Sequence, residues 1–390
     1  MSEATLPIDA VDHISESGAS SQAIPRNSGI DLLRGLSILL VVIHHIGLRI
    51  PLKKTDVGAY VPHRLLSALN YNGYEAVFVF FVISGFLIAG HALRRWGDLA
   101  SIDAKAFYSR RFARIVPCLI ALVIVLSALH LIGFDDYVIH HAGQSLPRAI
   151  FAALGLHLNW YEGSTGYLPG NWDVLWSLSI EEVFYLGFPL LCLILRKQTL
   201  LLIVLAALAL SLPITRAALA ENEIWQEKAY LPGMAAIAAG VIAALAAHRF
   251  DAIALPVRRV LCAIGLIGIA CNLLFGSVLW PLIGNGLMLV LTLSAGILLV
   301  GLHRDASTAP RGTFWLVSMG RLSYEIYLIH MFVVFAAVAI YRAIDADPWF
   351  GFLWYVPVVL LCWALGTALA KGWSIPLDRA LRARCLSKLT

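Results

Sequence analysis

The stretch Ile30-Asp-Leu-Leu-Arg-Gly-Leu-Ser-Ile-Leu-Leu-Val-Val-Ile-His-His-Ile-Gly-Leu-Arg-Ile50 is long and apolar enough for a membrane-spanning helix, yet it carries ionisable side chains. These are Asp31, Arg34, His44 and His45. Arg34 and His45 are eleven residues apart, so a helix places both on one face, about 16 Å apart along its axis. Because charge inside a bilayer is tolerated mainly beside a polar cavity, this face is expected to line a site.

The composition of the whole chain is that of a membrane protein. Hydrophobic residues make up 60% and charged residues only 14%, with a mean hydropathy of +0.80, whereas soluble domains average about 25% charged residues. Eleven apolar blocks are visible, of which the fourth, 147–160, is short for a span. The predicted fold is therefore all-α: a polytopic integral membrane protein with about ten transmembrane helices around a polar central cavity, in contact with the lipid bilayer.

The distribution of positive charge predicts the orientation. Ten spans, with 134–171 as an external or re-entrant segment, place 19 Lys and Arg residues on one side and 8 on the other, leaving out two near span ends. Because cytoplasmic loops carry the excess of Lys and Arg, both termini are expected in the cytoplasm. The predicted organisation is a disordered cytoplasmic tail at 1–28, a membrane domain at 29–372 and a basic cytoplasmic tail at 373–390.

The cysteines and the net charge argue against other classes. The six cysteines show no C-x-x-C spacing and lie mostly in apolar blocks, which is typical of small buried hydrophobic residues rather than metal ligands. No metal site is expected. The net charge of +5 is modest, and no nucleic-acid partner is expected.

Two further motifs lie in the first third of the chain. Ser84 and Gly85 form a small step in an aromatic-rich span, for which close helix packing is the simpler explanation. Arg110 and Arg111 are adjacent, and Arg114 follows three to four residues later, so the three side chains cluster at the mouth of the third span. Guanidinium groups match the geometry of phosphates, although ordinary positive-inside charge explains a basic loop equally well.

Two motifs in later spans carry polar side chains at membrane depth. Glu181 and Glu182 lie inside an apolar run, and adjacent helical residues point about 100° apart, so at most one of them is expected to face a given cavity. Tyr324, Tyr327 and His330 follow one another at intervals of three residues and form a polar stripe. Each motif also has a purely structural explanation: the buried glutamate could form an ion pair with another span, and His330 could simply be hydrogen-bonded to a neighbour.

Together these motifs resemble the membrane-bound acyltransferase family 3 proteins, which O-acylate bacterial surface glycans. The resemblance covers about 29–372 and rests on five motifs in the family's order: Asp31-x-x-Arg34 followed by His45, Phe80-Phe-Val-Ile-Ser84-Gly-Phe-Leu-Ile88, Arg110-Arg111-x-x-Arg114-Ile-x-Pro117, Trp176-Ser-Leu-Ser-Ile-Glu181-Glu-x-Phe-Tyr185 and Ser323-Tyr324-x-x-Tyr327-Leu-x-His330.

The resemblance implies an enzyme of the bacterial cytoplasmic membrane. Its co-substrate would be acyl-CoA, with no permanently bound cofactor, and its acceptor a carbohydrate hydroxyl at the outer face. The implied roles fall into three groups: catalysis by His45 with Glu181 or Asp31 orienting the imidazole; acyl-CoA binding by Arg34, Arg110, Arg111 and Arg114; and substrate binding by Trp176, Tyr324, Tyr327, His330 and Ser84.

His45 suits the reaction in two ways, which the sequence does not separate. It can take a proton from the acceptor hydroxyl, or it can attack the thioester and carry the acyl group.

Two other classes use similar residues. A transporter or flippase of a lipid-linked sugar also places polar groups within its spans, and a haem oxidoreductase pairs histidines from two spans, such as His45 and His330.

Overall fold

The computed structural model describes residues 27–250, 253–303 and 310–386, which contain helices and no strand. The tail expected at 1–28 falls outside this range except for its last two residues. We number the helices of twelve residues or more: α1 Ser28–Gly47, α2 Gly73–Trp96, α3 Ala104–Ile132, α4 Trp176–Leu195, α5 Gln198–Leu210, α6 Tyr230–Arg249, α7 Leu255–Ile283, α8 Gly286–Leu302, α9 Ser323–Ala343, α10 Tyr355–Leu369 and α11 Ile375–Leu386.

Shorter elements connect these helices. They are the α-helical segments Val57–Tyr60, His63–Tyr71, Leu146–Leu154, Leu158–Thr165, Gly170–Asp173, Leu212–Ala217, Glu223–Lys228 and Phe314–Arg321, the 3₁₀ turns Leu52–Lys54, Leu99–Ser101, Asp135–Tyr137 and Pro348–Trp354, and a π-helical turn at Ala370–Ser374 that joins α10 to α11. The short block at 147–160 thus forms two helices of nine and eight residues, and neither is long enough to cross a bilayer.

The number of spans agrees with the sequence-based expectation. In the described ranges, nine helical segments are long and apolar enough to cross a membrane, and α8, with 17 residues, is a shorter apolar helix. The all-α polytopic membrane fold is therefore confirmed. Burial differs greatly among the spans: 78% of the α2 window and 72% of the α6 window are buried inside the protein, against 17% for α7. The core lies around α2 and α6, and α7 is peripheral.

Local sequence signals fix the ends of the site-bearing helices. The Asn27 side chain accepts a hydrogen bond from the backbone N–H of Ile30 and caps α1. Asp103 does the same for the N–H of Ala106 at the start of α3. α3 ends at Gly133, whose φ of +86° is a left-handed conformation that glycine adopts without strain. These caps satisfy backbone donors that a helix end leaves unpaired.

Glycines bring α2 and α6 into direct backbone contact. A Cβ atom on Gly85 would lie 1.9 Å from the carbonyl oxygen of Ile237, and one on Gly240 would lie 2.0 Å from that of Val82. Small residues allow this close approach between membrane helices. The structure thus supports the packing interpretation for Gly85, while its neighbour Ser84 faces a cavity.

Candidate active site

One large cavity in the described part of the chain collects most of the polar residues that the sequence pointed to. Its volume is about 770 Å³, and α1, α2, α3, α4, α9 and α11 contribute to its wall. Eight of the twelve candidate site residues line it: Arg34, Ser84, Arg110, Arg111, Arg114, Glu181, Tyr324 and Tyr327. Five helices that are distant in sequence therefore place their motifs on one internal surface.

The arginines of the third span are held by aromatic rings. The guanidinium carbon of Arg111 lies 3.9 Å from the ring centre of Tyr185, and that of Arg114 lies 5.9 Å from the ring centre of Tyr324. Arg34 reaches the same region from α1 and donates to the hydroxyl of Ser323 at 2.8 Å. Cations over aromatic faces keep their charge available to a further anion, so the cavity is strongly electropositive.

Both adjacent glutamates, Glu181 and Glu182, line the cavity, so the expectation that at most one would face it is wrong. The cavity is wide enough to surround more than a third of the circumference of α4. The carboxylate of Glu181 accepts hydrogen bonds from the hydroxyls of Ser84 and Tyr185. Arg111 interacts electrostatically with both glutamates, which offsets part of their negative charge.

Two histidines meet just beyond the end of the cavity. The ring centres of His45 and His330 are 5.1 Å apart, and that of His330 is 5.5 Å from the ring of Tyr327. Tyr327 lines the cavity, and its hydroxyl bonds to Ser177 at 2.7 Å and to the carbonyl of Val174 at 2.9 Å. The histidine pair is thus one side chain away from the cavity. The imidazole rings of His45 and His330 are in direct contact, which leaves no room for the haem that an oxidoreductase would hold between them.

The hydrogen bonds of His330 define its tautomer. Its Nδ1 donates to the backbone carbonyl of Tyr327 at 2.7 Å, because a carbonyl oxygen can only accept. The neutral ring therefore carries a lone pair on Nε2. That atom is buried and has no hydrogen-bond partner within the described residues. An unpartnered acceptor in a fully buried ring is costly unless a ligand or a neighbouring group uses it.

His44 has a different environment from His45. Its Nδ1 donates to the carbonyl of Asn70 at 2.9 Å. Gly73 packs against the ring so tightly that a Cβ atom there would lie 2.4 Å from Cγ of His44. His44 therefore fastens α1 to the start of α2, whereas His45 faces His330 on α9.

Asp31 and Trp176 lie away from this arrangement. Asp31 forms ion pairs with Arg321 at 3.2 Å and Arg34 at 3.6 Å, fourteen residues or about 21 Å along α1 from His45, so it cannot orient that imidazole. Trp176 is buried against Tyr74, at 6.2 Å between ring centres, and is not among the residues that line the cavity. Its position is that of a packing residue.

A buried ion cluster on the His45 side of the molecule was missed in the sequence. Lys228, just before α6, is 3% exposed and lies 3.0 Å from a carboxylate oxygen of Glu162; it also contacts Asp173. Lys228 sits 4.4 Å from the ring centre of Tyr167, whose pKa partial burial raises to about 12, so the phenol stays neutral. The side-chain amide of Asn159 donates to the carbonyl of Lys228 at 3.0 Å.

This cluster decides which polar residues of the segment 134–171 could meet a ligand. An amide and a carboxylate such as those of Asn159 and Glu162 suit hydrogen bonds to a carbohydrate, but both are fully buried in contacts with Lys228. Trp160 and Tyr167 remain exposed on the same segment, at 54% and 47%. The polar and aromatic residues of this segment therefore divide into buried residues that stabilise the fold and residues exposed at the surface. Their spacing in the sequence does not distinguish the two.

The fold and the cavity define a multi-pass membrane protein with an arginine-lined cavity next to a histidine pair. The family model for the acyltransferase domain matches residues 27–367, and the chain belongs to this acyltransferase family. The match includes all five motifs and ends before α11.

Two curated relatives are similar to part of the chain. The peptidoglycan O-acetyltransferase OatA of Listeria monocytogenes is 27% identical over 220 residues, which cover 52% of this chain and 29% of that protein. The O-acetyltransferase OatA of Staphylococcus aureus is 30% identical over 173 residues, or 42% of this chain and 24% of that protein. The chain thus spans less than a third of the length of these relatives. No solved structure matches it significantly.

Proposed function

We propose that this protein transfers an acyl group, most simply acetyl, from cytoplasmic acyl-CoA to a hydroxyl of a cell-surface or exported carbohydrate. The observation that carries the proposal is that the His45–His330 pair lies one side chain, Tyr327, away from an arginine-lined cavity. A thioester entering from the basic end approaches a base at the other end. The O-acetyltransferase names of the two relatives favour acetyl as the acyl group and a glycan as the acceptor.

The donor side of the proposal rests on charge. Arg110, Arg111 and Arg114 line the cavity at the third span, and Arg34 joins them from α1. CoA is a polyanion with a diphosphate, and each charge-assisted hydrogen bond to phosphate contributes about 1.5–3 kcal/mol. The arm that ends in the thioester would extend past Glu181 towards Tyr327.

The chemical step uses His45. In the direct route a His45 nitrogen takes the proton of the acceptor hydroxyl, and the oxygen attacks the thioester carbonyl carbon. The carbon–sulfur bond then breaks, and the CoA thiolate recovers the proton from His45. In the covalent route a His45 nitrogen attacks the thioester carbonyl carbon, and the carbon–sulfur bond breaks to release the thiolate. The acceptor oxygen then attacks the same carbon, the carbon–nitrogen bond breaks, and the hydroxyl proton passes through the imidazole to the thiolate. Both routes need the same neutral ring in the same place.

His330 would support either route through its free lone pair. With Nδ1 fixed to the Tyr327 carbonyl, its Nε2 can accept a hydrogen bond from an N–H of His45. This bond would hold His45 with its other nitrogen unprotonated and would stabilise the imidazolium once it forms. His330 would thus orient the His45 imidazole, a role that the family resemblance gave to Glu181 or Asp31. Neither Glu181 nor Asp31 contacts His45 in the described structure.

The orientation follows from the charge distribution. The excess of Lys and Arg lies on the Arg34 side, which we therefore assign to the cytoplasm together with both termini. The His45 side then faces outward beneath the segment 134–171. In this orientation acyl-CoA enters from the cytoplasm of a bacterial inner membrane and the carbohydrate approaches from outside.

A matched pair of substitutions tests the proposal. His45→Asn should abolish acyl transfer to the surface glycan, measured as loss of one acyl mass by mass spectrometry of cells. His44→Asn keeps a donor at the Nδ1 position for the Asn70 carbonyl and should retain activity. Equal activity of the two variants would contradict the role of His45. A glycan that disappears altogether, rather than losing its acyl mass, would favour a transporter or flippase.

A further inference from the structure

The rim of the cavity contains basic and aromatic residues that the proposed donor site does not use. Arg94, Arg95 and Trp96 come from the last turn of α2, and Arg382 comes from α11. Resting on the proposed function, we infer that this rim binds the adenosine end of the donor CoA and that Arg382 and Arg94 contact its ribose 3′-phosphate. The ligand class is thus an adenine nucleotide with a 3′-phosphate, held separately from the diphosphate.

Distance separates the rim from the inner part of the cavity. Ser84 and Arg95 are eleven residues apart on α2, so the rim lies about 16 Å further along the axis than the Ser84–Glu181 contact. CoA is an elongated molecule with its thioester at one end and its adenosine 3′-phosphate at the other. A ligand whose thioester lies deep in the cavity would therefore present its adenosine at the rim.

The charge balance differs between the two regions. The only acidic residues in the described cavity wall are Glu181 and Glu182, and both belong to the inner part, where Arg111 faces them. The rim contributes three arginines to the wall and no carboxylate. Asp378, outside the wall, pairs with Arg382, so the three arginines leave the rim with a net positive charge, which attracts a dianionic phosphate.

Arg382 is pre-oriented for a ligand. Asp378, one turn earlier on α11, accepts a hydrogen bond from its Nε at 2.8 Å. A guanidinium has five N–H donors, so this bond leaves the terminal nitrogens of Arg382 to other acceptors. The helix reaches the cavity because α11 packs against α3, which carries the inner arginines. A stretch that reads as a basic tail in the sequence is thereby part of the cavity wall.

Trp96 supplies a surface for the base. Its ring is half-buried at the rim, and the guanidinium carbon of Arg95 lies 5.7 Å from its centre. Nucleobases stack on aromatic side chains with little dependence on their identity. Rim arginines beside an aromatic ring would thus complement the phosphate and the base of the adenosine end.

The test compares two donors that differ only in the 3′-phosphate. Purified full-length protein is assayed with acetyl-CoA and with acetyl-3′-dephospho-CoA, and the apparent KM is measured for each. The wild-type protein should favour acetyl-CoA by about tenfold, equivalent to about 1.4 kcal/mol. Arg382→Gln should reduce this preference several-fold by raising KM for acetyl-CoA alone. Arg379→Gln, an exposed neighbour on the same helix outside the cavity wall, should leave the preference unchanged.

Each outcome has a definite meaning. Equal KM values for the two donors with the wild-type protein would overturn the inference but leave acyl-CoA as the donor. An equal loss of preference in Arg382→Gln and Arg379→Gln would reduce the effect to general surface charge and would also overturn it. If Arg382→Gln does not fold, Arg94→Gln replaces it with the same expectation. If neither donor supports transfer, the proposed function itself fails.

Discussion

The buried ion cluster around Lys228 gives the sharpest prediction about stability. Lys228→Met removes a cation that contacts two carboxylates, those of Glu162 and Asp173, of which Glu162 is fully buried. Removing one partner of a buried ion pair costs about 3–5 kcal/mol, because the remaining charge has neither water nor a counter-ion. Glu162 meets this condition, whereas the Asp173 side chain is 20% exposed and keeps some water, so the cost should fall within this range and not above it.

Thermal unfolding of the purified protein in detergent measures this cost. Lys228→Met should lower the midpoint far more than Lys197→Met, which removes an exposed lysine and should cost about 0.5 kcal/mol or less. Adding Glu162→Gln to Lys228→Met should recover part of the loss, because it removes one of the two uncompensated charges. If Lys228→Met unfolds like Lys197→Met, or if Glu162→Gln makes the double variant worse, the cluster does not stabilise the fold as argued.

Two further predictions concern the helix crossing and the histidine pair. Gly240→Val should lower expression and the unfolding temperature severely, because even a Cβ atom there would lie 2.0 Å from a carbonyl oxygen of α2. Gly187 has open space around it, so Gly187→Val should have only a mild effect in the same measurements. His330→Gln keeps an acceptor at the Nε2 position and should retain kcat within about tenfold. His330→Asn replaces only Nδ1 and should lose about a hundredfold in kcat with little change in KM. Equal losses in both variants would contradict the orienting role.

Much of the fold could be predicted because bilayer spans leave strong local signals. Length and hydropathy located the nine long apolar helices and the shorter α8 of the described ranges, and the short block 147–160 forms only two short helices. Helical phase put Arg34 and His45 on one face of α1; Arg34 lines the cavity, whereas His45 lies beyond its end against His330. These are properties of single helices, which periodicity describes well.

Relations between helices were harder to predict. The family resemblance offered Asp31 as a residue that orients His45, but about 21 Å of α1 separates the two, and Asp31 instead pairs with Arg321 beside α9. Lys228 looked like an ordinary loop charge, since its partners lie 66 and 55 residues earlier in the chain. The contribution of Arg382 to the cavity was invisible for the same reason: it depends on how α11 packs against α3.

The central claim is that acyl-CoA donates from the side of the membrane on which the arginine-lined cavity begins. Sealed membrane vesicles containing the protein and its acceptor glycan, prepared in right-side-out and inverted orientations, test it directly. Radiolabelled acetyl-CoA, which does not cross the bilayer, is added outside, and label on the glycan is counted, with His45→Asn vesicles as the blank. We predict transfer in inverted vesicles, whose cytoplasmic face is exposed, and none above the blank in right-side-out vesicles. Transfer in right-side-out vesicles alone, or in neither, would contradict the account.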